Sequence, residues 1–353
     1  MTQIICRRCV MDKSAKEIIF DENGVCNFCH IAQRELALAR EQKKDLPKIV
    51  EKIKKAGRKK KYDVLIGLSG GVDSSFALYS AVQLGIRPLA YSIDNHWNTK
   101  ESDENIMRLV ETLKVPFYRY TIDQKKFLDV QSAFLKAGLI NAEIPTDHIL
   151  LASIYEMARN ENIKWIISGG NAATESIMPL SWSYPARDLV HIKDVYRKMT
   201  HKELMGIPMC SLWQFNVYKW WHRIKMFYLL DYIEYDRAEA VKILQEKVGY
   251  RPYGEKHEES VFTQWFQSFY LFEKFGIDKR KAHFSALINS DQMTRKEALE
   301  RLGECPVYPK MGIEQKVMAY PKRHHKEFAT DIKMWTFLCS VIKILRKHGI
   351  IET

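Results

Sequence analysis

The stretch Val64–Ser75, VLIGLSGGVDSS, runs from apolar residues through two glycines into a helix-forming segment, and it constrains the architecture more than any other twelve residues. A strand that turns at glycine and re-enters as a helix offers backbone amides and a helix N-terminus to an anion, the layout of a phosphate-binding loop. A Walker A loop carries a lysine for the β- and γ-phosphates. Here there is none, and Asp73 sits inside the turn. Gly70 and Gly71 let amides converge on phosphate oxygens, while Ser69, Ser74 and Ser75 add hydroxyl donors. Asp73 would repel phosphate unless loop amides, a divalent cation or both satisfy it. Donors without a loop lysine suit a whole pyrophosphate, held as it leaves after attack at the α-phosphorus.

From Tyr62 onward, short apolar runs alternate with helical segments. YDVLIGL, RPLAYSI, PFYRYTI and KWIISGG read as strands, and helices begin near Asp73, Lys100, Gln124 and Asp147. The alternation predicts an α/β fold, a doubly wound parallel sheet with helices on both faces. Ligands of such a sheet bind beyond the carboxyl ends of its strands, the edge that holds the glycine loop, SIDN at 92–95 and SGGN at 168–171.

The head of the chain spells C-x2-C-x16-C-x2-C through Cys6, Cys9, Cys26 and Cys29. Two knuckles present four thiolates to one tetrahedral ion, with a hairpin turn at Asn23 and Gly24 between them. A structural Zn²⁺ ribbon and an iron–sulfur cluster both fit four thiolates, and the spacing leaves the choice open. The head occupies residues 1–33, a basic linker helix 34–60, the sheet domain 61–200 and a helical C-terminal region 201–353. The tail from Glu327 reads as an amphipathic helix, and the aromatic stripe Trp213–Tyr235 as helical core or domain interface.

The 353 residues carry a formal charge of +12, and seven of the ten residues Lys52–Lys61 are basic. That run reads as a solvated helix end, with RNA contact as the sharper alternative. No apolar run approaches the roughly 20 residues of a membrane span, so a cytoplasmic location is expected.

Ser69–Ser75 resembles the S-G-G-x-D-S-[ST] signature of the PP-loop ATP pyrophosphatases. The resemblance implies ATP and Mg²⁺, adenylation of a carbonyl or amide oxygen with release of pyrophosphate, and displacement of AMP by a nucleophile. It also implies an adenine seat at Ser92, Ile93 and Asp94, close approach to ribose and α-phosphate at Gly169 and Gly170 beside Asn171, and a magnesium carboxylate at Glu175. Asp73 would share that ion.

Together with the cysteine head, GGNAATES, YGEKHEES, KFGIDKRKAHFSALI and MTRKEALERL make the chain similar to the bacterial N-acetyl sugar amidotransferases of surface-polysaccharide and LPS O-antigen synthesis. That family implies conversion of an acetamido group on a nucleotide-activated N-acetyl sugar into an acetamidino group. In YGEKHEES, Lys256 is expected to meet developing phosphate charge in place of the missing loop lysine. His257 and Glu259 are expected to handle protons, and Arg280 and Lys281 to grip phosphates. The chain shows no glutaminase nucleophile motif, so a separate glutaminase subunit is expected to supply ammonia, with a cyclase-like barrel as a further partner. The competing reading keeps the fold and makes the chain a tRNA-thiolating enzyme with a zinc ribbon, in which Cys210 would be the sulfur carrier. Otherwise nucleic acid is not an expected partner.

Overall fold

The computed structural model describes residues 4–332 apart from positions 255 and 257. In chain order the first elements are α1 (Asn27–Gln42), α2 (Leu46–Gly57), β1 (Val64–Gly67), α3 (Val72–Gln83), β2 (Pro88–Asp94), α4 (Lys100–Thr112), β3 (Phe117–Thr121), α5 (Gln124–Ala137), α6 (Ile144–Asn160) and β4 (Trp165–Ser168). Then follow α7 (Ala172–Glu175), α8 (Leu189–Thr200), α9 (Leu212–Trp220), β5 (Lys225–Tyr228), α10 (Arg237–Val248) and α11 (Val261–Trp265). A π-helix (Phe266–Lys274), α12 (Arg280–Asn289), α13 (Arg295–Leu302) and α14 (Glu314–Ala319) complete the set. The amphipathic tail helix expected from Glu327 does not begin there: Glu327 closes a 3-10 turn and Phe328–Asp331 are not helical, and residues from 333 lie outside the described residues.

The five strands among the described residues form one parallel sheet in the order β3-β2-β1-β4-β5, so the winding reverses at β1. Alternation along β1 explains the two layers of helices. Val64 and Ile66 pack with α2, α3, α4 and α10, whereas Leu65 packs with α6 and α9 on the opposite face. The four strands read from sequence form at those places. The fifth, β5, lies inside the stretch read as aromatic helices, and it carries the sheet domain beyond residue 200. Its KMFY is too short to show a period of two against aromatic neighbours. That stretch is also divided in burial: Phe215, Phe227 and Leu229 are buried, while Trp213, Trp220 and Trp221 are exposed.

The basic run Lys52–Lys61 is a solvated helix end, with Ile53 and Gly57 turned inward and the flanking lysines outward. Among the described residues no helix is long and apolar enough to cross a membrane. The cysteine head packs far from its sequence neighbours, in one core with α5, α8, the π-helix and α12. Arg8 Nε donates to Asn289 Oδ1 at 3.0 Å, Val10 N to Ser285 Oγ at 3.2 Å, and Arg295 Nε to Cys9 O at 3.0 Å.

Beyond β4 the backbone crosses directly behind the glycine loop. A Cβ on Gly169 would fall 2.7 Å from Ser74 N and 2.8 Å from Ser74 Cα. Glycine is required there for contact with the loop's own backbone, a closer constraint than the nucleotide contact suggested by resemblance. Gly169→Ala is expected to force the two backbones apart at a cost of about 1–3 kcal/mol. The check is a lowered Tm together with faster amide exchange confined first to Ser69–Ser75.

Candidate active site at the glycine loop

Gly70 turns the chain with φ +81°, and a Cβ there would meet Ser102 O at 2.5 Å, so the loop must carry glycine at this position. The turn is braced internally: Gly71 N donates to Ser69 Oγ at 3.2 Å, and Ser74 Oγ donates to Gly71 O at 3.2 Å. The first hydrogen bond of α3 runs from Ser75 N to Gly71 O at 3.1 Å. The amides of Val72, Asp73 and Ser74 precede it and are the orphan donors of a helix start, available to an anion. Ser75 Oγ is buried with no protein partner among the described residues.

Asp73 receives its counter-charge from 183 residues along the chain. Lys256 Nζ stands 2.9 Å from Asp73 Oδ2 and 2.8 Å from Glu175 Oε1, and it also donates to Thr174 Oγ1 at 2.8 Å. Thr174 Oγ1 donates to Asp73 Oδ2 at 3.2 Å, and the Tyr235 hydroxyl donates to Asp73 Oδ1. Burial alone would raise the Asp73 carboxyl, but Lys256, Tyr235 and nearby Arg237 outweigh it and hold it below the usual carboxylate range. Burial likewise pulls Lys256 down, and Asp73 and Glu175 more than restore it. Both groups are therefore charged at neutral pH.

Glu259 overlies the loop, its Oε1 3.3 Å from where a Gly71 Cβ would stand, and burial raises its carboxyl. Its backbone ties the Lys256 segment to α4: Thr99 N and Ser102 Oγ both donate to Glu259 O, at 2.9 and 3.1 Å. His257 lies outside the described residues. Gly170 borders the cleft beside Glu175 and Tyr228. Asn171 caps α7, accepting from Thr174 N at 2.9 Å and donating to Gly169 O at 3.2 Å, so its side chain orients Thr174.

Other sequence candidates take different places. Ser92, Ile93 and Asp94 end β2 and are not among the residues that line the loop cleft. The Asp94 carboxylate instead accepts from His96 N at 2.9 Å. Arg280 forks onto Asp278, with 2.7 Å from Nη2 to Oδ2, and donates to Arg301 O and Glu304 O, which leaves its guanidinium engaged within the protein. Lys281 Nζ pairs at 2.5 Å with buried Asp12 and so ties α12 to the cysteine head.

Tyr235, Arg237, Tyr253 and His283 join the site unannounced by any spacing from the loop. Burial together with the Lys256 and Arg237 charges pushes His283 down to about 3, so its ring is neutral and approaches Thr174 O at 3.4 Å. Cys210 is buried, and burial pushes its thiol up to about 12. A protonated, enclosed thiol does not suit a sulfur carrier.

Two cavities meet at this cluster. A cleft of about 440 Å³ holds the loop, Arg237 and Glu259 against an apolar wall of Leu150, Leu151, Ile154 and Met226. A chamber of about 520 Å³ lies between the Lys256 cluster, the π-helix and α12. Thr174, Glu175 and Lys256 belong to the walls of one or both.

In the head, all four thiols lie within 4.8 Å of one another, with Sγ–Sγ separations of 3.9 Å for Cys6–Cys29 and 3.7 Å for Cys9–Cys26 and Cys26–Cys29. Four thiolates about 2.3 Å from a central Zn²⁺ stand about 3.8 Å apart. Cys26 N donates to Cys6 Sγ at 3.2 Å and Met11 N to Cys9 Sγ at 3.4 Å, the outer hydrogen bonds that orient metal-binding thiolates. The donor set fits the ion. His30, next in sequence to Cys29, pairs with Asp21 at 2.8 Å and stands outside the cysteine cluster.

Residues 259–335 match the family described as "LPS biosynthesis protein WbpG-like, C-terminal domain". The search of curated proteins returns no match. Among solved structures, the chain is similar to an NH3-dependent NAD synthetase from Campylobacter jejuni, at 15% identity, with 60% of this chain and 98% of that chain covered and a TM-score of 0.30. It is also similar to an NMN synthetase from Francisella tularensis, at 15% identity, with 68% and 92% covered and a TM-score of 0.28.

Lys256→Met leaves Asp73 and Glu175 facing each other without a cation, and it is expected to cost about 3 kcal/mol. Millimolar Mg²⁺ should raise the Tm of this variant more than that of the wild type, because two carboxylates then stand free; thermal melts with and without MgCl₂ check this. For the head, metal analysis is expected to find one zinc per chain. Cys6→Ser should lose the metal and lower the Tm together.

Proposed function

We propose that the chain is an ATP-dependent, AMP-forming synthetase that adenylates the acetamido oxygen of a nucleotide-activated N-acetyl sugar and replaces it with ammonia to give an acetamidino group. One observation carries the reading: the loop lacks its lysine, and Lys256 supplies a cation at 2.9 Å from Asp73 and 2.8 Å from Glu175, on the partition between two cavities. The similarity of residues 259–335 to an LPS biosynthesis domain supports a sugar substrate.

An amide carbon is a poor electrophile and its oxygen a poor leaving group. Attack of that oxygen on the α-phosphorus breaks the bond to the bridging oxygen and releases pyrophosphate. Ammonia then forms the C–N bond, AMP departs with the oxygen, and a proton is lost. Ser69, Gly71 and the first amides of α3 hold the leaving pyrophosphate, with Lys256 and Arg237 opposing its charge. The apolar wall of Leu151, Ile154 and Met226 suits the purine better than the end of β2. Magnesium, when bound, neutralises phosphate charge; Asp73 and Glu175 would hold it, since both already converge on one cation. Glu259, with His257, takes the proton lost on C–N bond formation. Zinc in the head has a structural role, and ammonia comes from a separate glutaminase working with a cyclase-like barrel.

With Mg-ATP, ammonium and a UDP- or CMP-activated acetamido sugar, the purified protein is expected to release pyrophosphate and AMP and to form a slightly lighter, more basic sugar. Absence of sugar-dependent pyrophosphate would refute the reading, and tRNA-dependent release would favour thiolation. Asp73→Ala should slow turnover by about a hundredfold or more with its circular dichroism unchanged.

A further inference from the structure

The chamber beside the loop cleft is walled by polar groups, most of which the fold engages, while Lys279 is balanced by the more distant carboxylates of Glu143, Asp147 and Glu175. Arg280 is held by Asp278 and two carbonyls, and Lys256 by Asp73 and Glu175. Arg301 lies 4.6 Å over the Phe284 ring and 3.8 Å from Glu297. Lys279 differs. Its ammonium reaches the Met178 thioether at 3.0 Å, a weak acceptor, and among the described residues no carboxylate comes within ion-pair distance.

The facing wall is the π-helix, a geometry that concentrates at functional sites. Phe266, Phe269, Tyr270 and Leu271 are buried behind it, and Lys274 Nζ donates to Val317 O and Tyr320 O at 2.7 Å, which pins the wide turns from the rear. Ser268 and, on the preceding turn, Gln264 are left lining the chamber, and among the described residues neither side chain has a hydrogen-bond partner. A volume of about 520 Å³ is within the range of small-molecule sites.

We propose that this chamber binds the acceptor substrate, a diphosphate-linked sugar whose phosphate faces Lys279 and whose hydroxyls bond Gln264 and Ser268. The inference rests on the synthetase reading above and locates its second substrate. The acceptor's amide end then meets the loop cleft at the Lys256 partition, while its anionic end stays away from the ATP phosphates. Such separation keeps two polyanions apart until the reacting atoms meet.

Cys305 is an exposed thiol on the chamber wall and reports occupancy. With the full-length protein and UDP-N-acetylglucosamine as probe, alkylation of Cys305 by iodoacetamide, read by peptide mass spectrometry, is expected to slow about tenfold at saturation, and not with Mg-ATP alone. Lys279→Met should raise the probe concentration needed for protection about tenfold with Mg-ATP affinity unchanged, and Gln264→Leu should raise it severalfold. Asp73→Ala should keep the protection. No protection by the probe, equal protection by Mg-ATP alone, or undiminished protection in both chamber variants overturns the proposal. Protection without sugar-dependent pyrophosphate release upholds the chamber and overturns the synthetase chemistry instead.

Discussion

A carboxylate buried at the start of a helix is the constraint around which this structure is arranged. The position of Asp73 inside the turn of the loop places a negative charge beside the free amides of a helix start, and burial without a partner would neutralise it. The fold answers with Lys256, Thr174 and Tyr235, three side chains from three separate segments, all converging on one carboxyl group. Each of those segments must then be held in place. Glu259 ties the Lys256 segment to α4, Asn171 caps the helix that carries Thr174, and Gln292 Nε2 donates to Tyr235 O at 3.3 Å. The electrostatic demand of one residue thus fixes the relative placement of sheet edge and C-terminal region.

The same arrangement makes the site responsive to charge. With Asp73 held as a carboxylate and Lys256 as an ammonium, the cluster is a preformed set of opposed charges at the mouth of an anion cradle. On the proposed reading, a metal ion would meet the carboxylates of Asp73 and Glu175, and a polyanion the Lys256 ammonium, which comes from a segment separate from the loop.

Much of this was legible in the sequence, for identifiable reasons. The loop, the four strands through KWIISGG and the cysteine head are local patterns whose spacing is set by backbone geometry, and each forms where its pattern lies. The lysine missing from the loop drew attention to Lys256, which stands 2.9 Å from Asp73 beside the loop. What stayed hidden is non-local or ambiguous. The four residues of β5 are too few to display a period. Tyr235 and His283 reach the site only through the path of the chain. Arg280 and Lys281 show a further ambiguity: a basic turn reads the same whether or not its charges have carboxylate partners, which here are Asp278 and Asp12.

The cysteine head gains its meaning from what it touches. Its knuckles hold Arg295 through the carbonyls of Cys6 and Cys9, and Asn289 through Cys29 Sγ, while Asp12 holds Lys281. All of these contacts fall on α12 or the helix after it. From the end of the same helix Ser290 Oγ donates to Ala173 O at 2.8 Å, and His283 Nδ1 approaches Thr174 O at 3.4 Å, so α12 bridges the head and α7, which α1 also borders directly. Thr174 in turn bonds both Asp73 and Lys256. A metal bound by these four thiolates would therefore bear on the Asp73–Lys256 cluster without approaching it. It would fix α12, which touches the turn of α7 where the opposed charges meet. Because the head has so little core of its own, the binding energy of an ion held by its four thiols would stabilise this whole path, a physical reason for a small cysteine-rich unit to be built into this fold.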